Sequence, residues 1–231
     1  MRILSEAAKI IVGRDYVLLN ILSVTFRMAI SSSVLSLIIG IPIGILYGYK
    51  NFKINKFFII INRTLMGMPP VVCGLLCYLL FSGVGPLRHL KMLYTVSGMV
   101  VAQVILITPI VIGTMEPFVR KLYPEMRETL DGMHIRGVKK ILLLINESKY
   151  EIVSIYLLAF SRAIAEVGAV SMVGGAIAFK TDVMTTAIMN YTNMGDFNFA
   201  MALGIVLMLI SLVVNVAANL LQQRLWLILA K

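Results

Sequence analysis

From Met92 to Met115 the chain carries no charged residue, and apolar side chains fall on every face of the segment. About 20 such residues are enough to cross a hydrocarbon core about 30 Å thick as a single helix. A helix satisfies its own backbone in lipid, whereas a barrel strand alternates apolar and polar residues over about 10 positions. The run therefore indicates both a bilayer environment and a helical conformation. Four further stretches are long and predominantly apolar: Met28 to Tyr49, Phe57 to Phe81, Ile152 to Ala178 and Phe199 to Leu221. The expectation is an all-α integral membrane protein with about five transmembrane helices. Only 14% of the 231 residues are charged and the mean hydropathy is +0.92. An average soluble domain is roughly 25% charged, so a soluble core is excluded.

A net charge of +10 would suggest nucleic acid as a partner of a soluble protein. Here the Lys and Arg residues gather between apolar spans, where they set orientation in the lipid, and no nucleic-acid partner is expected. One side collects Lys50, Lys53, Lys56, Arg63 and the seven basic residues between Glu116 and Glu151. The other side holds Arg2, Lys9, Arg14, Arg88, Lys91 and Lys180. With five spans this places the amino terminus outside the cell membrane, and the carboxyl terminus with Arg224 and Lys231 inside. The chain reads as one transmembrane domain over residues 1–231. An interfacial lead-in helix is expected over 1–27, with the first span free to begin earlier. A cytoplasmic loop is expected over 116–151 and an extracytoplasmic loop over 179–198. Glu6 and Lys9 interrupt Met1 to Gly13, so no cleaved signal peptide is expected there. In the first loop Ile141, Leu142, Leu144 and Ile145 form an apolar stripe behind Lys139 and Lys140, predicting helix. The second, rich in Thr, Asn and Met, suits a short re-entrant or interfacial helix.

Arg162 and Glu166 interrupt the fourth span about 10 and 14 residues from its cytoplasmic end, roughly 15 and 21 Å deep at ~1.5 Å per residue. A charge at that depth costs at least ~2.5 kcal/mol, so both must face protein, a cavity or each other. Their i, i+4 spacing puts them on one helix face. Two readings stand: a structural ion pair, or an arginine that offers positive charge along a pathway while Glu166 holds or gates it. Small residues surround them, among them Ala159, Ser161, Ala163, Ala165, Gly168, Ala169, Gly174 and Gly175. Such residues let helices approach closely, and a translocation path would use the same face. Met68-Pro69-Pro70 removes two backbone donors and breaks the second span. Pro42 and Pro109 are candidate kinks.

Other chemistry is not assembled. Cys73 and Cys77 lie one helical turn apart in an apolar run and read as packing residues, without the His or carboxylate neighbours of a metal site. Gly174 to Thr181 resembles a phosphate-binding loop, but Phe179 stands where the second glycine belongs and no strand precedes it. His89 and His134, the only histidines, fall on opposite sides of the membrane. No catalytic set, cofactor or metal is expected, and the chain is not expected to be an enzyme.

Leu65 to Leu87 reads LMGMPPVVCGLLCYLLFSGVGPL and Phe160 to Gly175 reads FSRAIAEVGAVSMVGG. With DVMTTAI at Asp182 to Ile188 and GDFNFAMALGIVL at Gly195 to Leu207, these segments resemble, in order, tungstate ABC transporter permeases. The resemblance implies a type I importer fold working by alternating access. It implies a homodimer, a cytoplasmic ATP-binding subunit that hydrolyses the ATP, and an extracytoplasmic oxyanion-binding protein. It also implies a coupling helix bearing Glu-Ala-Ala-x-x-x-Gly in the cytoplasmic loop. Glu128-Thr129-Leu130 falls in that register, with His134 in the place of the glycine. Glu125, Glu128, Asp131, His134 and Arg136 are the expected docking residues, the alternative being solvated charges at a membrane surface. On the pathway the expected residues are Arg162, Glu166, Ser161, Gly168, Gly174 and Gly175. A permease of the same class for molybdate or sulfate is the nearest rival. A secondary transporter would need discontinuous helices in corresponding halves, and the sequence displays one break, in the second span.

Overall fold

The computed structural model describes residue 13 and residues 16–49, 53–135 and 137–229. Lys50, Arg2, Lys9, Arg14 and Lys231, used above to orient the chain, lie outside the described residues. Among those described the structure is helical and contains no strand. The order is α1 (Tyr16–Tyr49), α2 (Lys53–Met66), α3 (Pro70–Phe81), a 3-10 turn (Arg88–Leu90), α4 (Val96–Gly132) and α5 (Val138–Glu147). There follow α6 (Lys149–Ile164), α7 (Gly168–Gly174), α8 (Met184–Asn193) and α9 (Phe197–Leu229).

Helices α1, α4 and α9 are each long and apolar enough to cross a bilayer alone. The bent apolar pairs α2 with α3 and α6 with α7, at 99° and 59°, bring the number to the five expected when each is counted as one span. Three features differ from expectation. Residues 16–27 are not a separate lead-in helix but the first turns of α1, because no Gly or Pro occurs before Gly40 to interrupt them. Residues 116–132, expected to belong to separate helices of the cytoplasmic connection, instead continue α4 through Pro117 and Pro124. The fourth span is also broken, with α7 bent 59° from α6. The short helix predicted within 179–198 is present as α8.

The chain divides into two compact units. The first is drawn from Met1–Ser32, Pro69–Gln103 and Phe160–Val216. Its core joins Leu18 and Ile21 of α1 to Met184 and Ala187 of α8 and to Phe199 and Leu203 of α9. The second is drawn from Ser33–Met68, Val104–Ala159 and Ala217–Lys231. There Gly40, Gly44 and Gly48 meet Val111, Met115 and Val119 of α4. A Cβ added to these glycines would come within 2.7, 2.7 and 2.6 Å of those side chains. Both rows advance by four residues, so α1 and α4 run parallel, in contact close enough that only hydrogen fits on the α1 side. Van der Waals packing of this kind holds helices together in lipid, where hydrophobicity gives no drive. Pro42 and Pro109 sit inside unbroken helices. The Pro109 carbonyl accepts a bond from Asn62 Nδ2 of α2 at 2.9 Å.

Candidate functional site

The break between α6 and α7 spans Ala165, Glu166 and Val167, none of them a helix breaker. Side chains from elsewhere take over the backbone groups that a continuous helix would have paired. The Ala163 carbonyl accepts from Gln103 Nε2 at 2.8 Å, and the Glu166 carbonyl accepts from Thr185 Oγ1 at 2.8 Å. Oε1 of Glu166 accepts the Ala169 N–H at 3.2 Å, satisfying one of the orphan donors at the start of α7. Gln103 is fully buried and also receives Ser32 Oγ at 2.6 Å, so α1, α4 and α6 meet at one amide.

The second span breaks beside this point. Pro69 and Pro70 end one helix and start the next, with proline in the first turn of α3, where a missing N–H costs nothing. A Cβ on Gly168 would come within 2.8 Å of Val71 Cγ2, and one on Gly74 within 2.7 Å of the Ala169 Cα. The first turns of α3 and α7 thus pack backbone to backbone, which explains the glycines that sequence marked only as small.

Arg162 and Glu166 face each other as their spacing predicts, with Nη2 3.6 Å from Oε2. Their environments differ: the Glu166 side chain is 5% exposed and the Arg162 side chain 43%. The carboxylate is thus committed to the α7 cap as well as to the arginine. The guanidinium has five N–H donors and, among the described residues, one long ion-pair contact, leaving donors to meet an acceptor outside the chain. Arg162 stands 13 residues from Lys149, about 20 Å along α6. Arg27, which sequence left outside the first span, lies exposed inside α1, and its neighbour Phe26 stacks on Phe160 with ring centroids 6.3 Å apart.

Of the remaining pathway candidates, Ser161 is half-buried and Gly168 sits at the break. Gly174 and Gly175 lie at the far end of α7. Gly174 packs on Met99, and Gly175, at φ +69°, lies under the Tyr94 ring. The segment resembling a phosphate loop has another structure: Thr181 Oγ1 donates to the Gly174 carbonyl at 2.6 Å and closes a turn. Cys73 and Cys77 are buried and unbridged, as packing residues should be. After that turn Asp182 accepts Thr186 Oγ1 at 2.7 Å, and its burial raises the carboxyl above its ordinary range.

At the α4–α5 turn Glu125, Glu128, Asp131 and His134 are exposed, and Arg136 lies outside the described residues. His134 has φ +55°, the left-handed conformation that favours glycine. The position where the resembled motif carries glycine therefore needs that conformation, and a histidine adopts it here. The expected apolar stripe of α5 is corrected in one member: Leu144 is buried but Leu142 is 58% exposed. Lys140 turns inward, its side chain 12% exposed, and donates to Tyr123 Oη at 2.8 Å. Sequence reasoning missed Gln103, Thr185 and Lys140. Gln103 had a signal, being the one amide in the uncharged run, while the other two are set by tertiary contacts.

Long apolar helices and bent apolar helix pairs, one of them broken beside a half-exposed arginine, define a polytopic helical permease of the cell membrane. The model of the family described as binding-protein-dependent transport system inner membrane component matches residues 40–227, and the chain belongs to that family. It therefore has the type I ABC importer permease fold. It is similar to the tungstate uptake system permease protein TupB of Peptoclostridium acidaminophilum, 33% identical over 94% of this chain and 96% of that one. It is 34% identical to TupB of Campylobacter jejuni over 72% of this chain and 70% of that one. It is 31% identical to the sulfate transport system permease protein CysT of Salmonella typhimurium, over 68% of this chain and 59% of the relative.

Proposed function

We propose that this chain is the membrane-spanning subunit of an ATP-driven importer of tungstate. The observation that carries the substrate is the match, over almost its whole length, to a permease named for tungstate uptake. In this reading two copies form the pathway within lipid. A separate cytoplasmic ATP-binding subunit supplies energy, and an extracytoplasmic binding protein delivers the oxyanion. Arg162, half-exposed beside the break, offers guanidinium N–H groups to the passing anion, and Glu166 fixes its orientation. Ser161 and Gly168 lie along the same stretch, and Gly174 and Gly175 allow the close packing beyond it. At the other end Glu125, Glu128, Asp131 and His134 lie exposed at the turn that docks the ATPase, and Arg136 is a further docking candidate by its place in the sequence. Exposed Met133, Val138 and Leu142 add apolar surface there.

Sulfate or molybdate is the alternative cargo, favoured by the similarity to a sulfate permease. The second broken span meets part of the requirement for a secondary transporter, but family membership argues for the ATP-driven class. The test is uptake of radiolabelled tungstate into proteoliposomes holding this chain, its ATPase and its binding protein. ATP-dependent uptake resisting excess molybdate and sulfate is expected. Uptake without ATP overturns the class, and equal competition by sulfate overturns the tungstate assignment.

A further inference from the structure

A partly buried ammonium bridges the turn between α4 and α5. Lys140 Nζ, on the α5 arm, donates to Tyr123 Oη at 2.8 Å and approaches Asp131 Oδ1 at 3.4 Å, both on the α4 arm. The same Nζ lies 4.9 Å from the Tyr123 ring centroid and 6.0 Å from that of Tyr49, the last residue of α1. The two tyrosine rings are 5.7 Å apart. Arg127 Nε, 3.4 Å from Asp131 Oδ2, completes the charged set. One side chain therefore ties α5 to the ends of two membrane-crossing helices.

What lies directly behind this cluster leaves no slack. Gly48 precedes Tyr49 by one residue and packs on Val119, one turn before Tyr123. Met115 and Val111 continue the contact into the span against Gly44 and Gly40. A displacement of α5 must move Tyr49 and Tyr123 together, because tightly packed helices shift as bodies rather than deform. The Tyr123 hydroxyl, the two rings and Asp131 hold this partly buried ammonium from several sides, which ties α5 to them.

We propose that Lys140 is the positioning residue that transmits motion of the cytoplasmic turn to α1 and α4. The proposal rests on the reading that this turn docks the ATPase. Lys140 itself needs no contact with that subunit, its side chain being turned inward and 12% exposed.

The experiment measures oxyanion transported per ATP hydrolysed, using the permease reconstituted with its ATPase and binding protein. Lys140→Met keeps the stem and removes the ammonium. It should lower the ratio at least tenfold while the ATPase subunit still co-purifies and still hydrolyses ATP. Lys140→Arg should recover part of the ratio. Tyr123→Phe removes one hydroxyl, should lower the ratio less, and carries the test if Lys140→Met fails to fold. An unchanged ratio in Lys140→Met overturns the proposal. So does loss of ATPase co-purification, because Lys140 would then shape the docking face itself. The docking reading is judged separately: normal co-purification and coupling in Glu128→Lys reject it while the Lys140 ratio remains readable.

Discussion

Gln103 Nε2 donates to the carbonyl oxygen of Ala163 at 2.8 Å, and this bond supports the end of α6 where the fourth span breaks. A lone amide in an uncharged transmembrane run thus serves a backbone group rather than a substrate. Gln103→Leu removes both this bond and the acceptor of Ser32 Oγ. Each lost bond costs about 1–2 kcal/mol in a membrane protein interior. The melting temperature of the detergent-solubilised protein should fall by several degrees. No fall would mean that the break at Ala165 to Val167 is held by Thr185 and Glu166 alone.

The unequal exposure of Arg162 and Glu166 separates their roles by mutation. Glu166→Gln keeps an oxygen for the Ala169 N–H and removes only the charge, so assembly should survive. Glu166→Ala also removes the cap and should cost about 1 kcal/mol more. Arg162→Gln should cut uptake at least tenfold with the ATPase still bound. Wild-type uptake by Arg162→Gln would take the arginine off the pathway.

Two glycines near each other in sequence should respond in opposite ways. A methyl group on Gly74 meets the backbone of Ala169 at 2.7 Å, whereas one on Gly83 meets nothing within 4 Å. Backbone cannot swing aside as a side chain can, so Gly74→Ala should destabilise by about 1–3 kcal/mol. Gly83→Ala should leave the melting temperature within a degree. Equal melting of the two variants would contradict the close contact of α3 and α7.

Much of this arrangement could be read from the sequence because it follows from solvent and from covalent limits. Five passes come from apolar length, the break at Pro69 and Pro70 from missing donors, and the Arg162 and Glu166 pair from helical spacing. The second break was not legible, because Ala165, Glu166 and Val167 are compatible with helix. It exists because Gln103 and Thr185, distant in sequence, bind the carbonyls that helix continuation would use. Lys140 was misread for a related reason: a lysine is assigned to water unless its partners are known, and Tyr123 and Asp131 belong to another helix. The parallel packing of α1 on α4 had a local signal in Gly40, Gly44 and Gly48, spaced four apart.

The Lys140 cluster carries a pH signature with two edges. The bond from Lys140 holds the Asp131 carboxyl below its ordinary 3.8, so its contribution is present above that value and is lost as pH falls through the lowered one. The bond to the Tyr123 hydroxyl raises Lys140 above its ordinary 10.5, so its contribution is full below that value and lost as pH rises past the raised one. The gap in melting temperature between wild type and Asp131→Asn should be constant from about pH 5 to pH 9 and shrink below about pH 4. A gap that varies near neutrality would require another titrating group in the turn.

His134 offers a sharper test of the turn, since its conformation and its side chain can be changed separately. At φ +55° a residue with a Cβ is strained by roughly 1 kcal/mol, although histidine tolerates this region better than most. Its Nδ1 lies 3.1 Å from the Gly132 carbonyl, an exposed contact of small value. His134→Ala keeps the Cβ and its strain while losing that contact, so it should be slightly less stable than wild type. His134→Gly removes the strain, at the expense of a more flexible unfolded chain, and should come out more stable than His134→Ala by about 1 kcal/mol. Thermal melting of the three proteins ranks them directly. If glycine proves no better than alanine, the left-handed turn is not what this position demands, and its correspondence to the motif glycine fails with it.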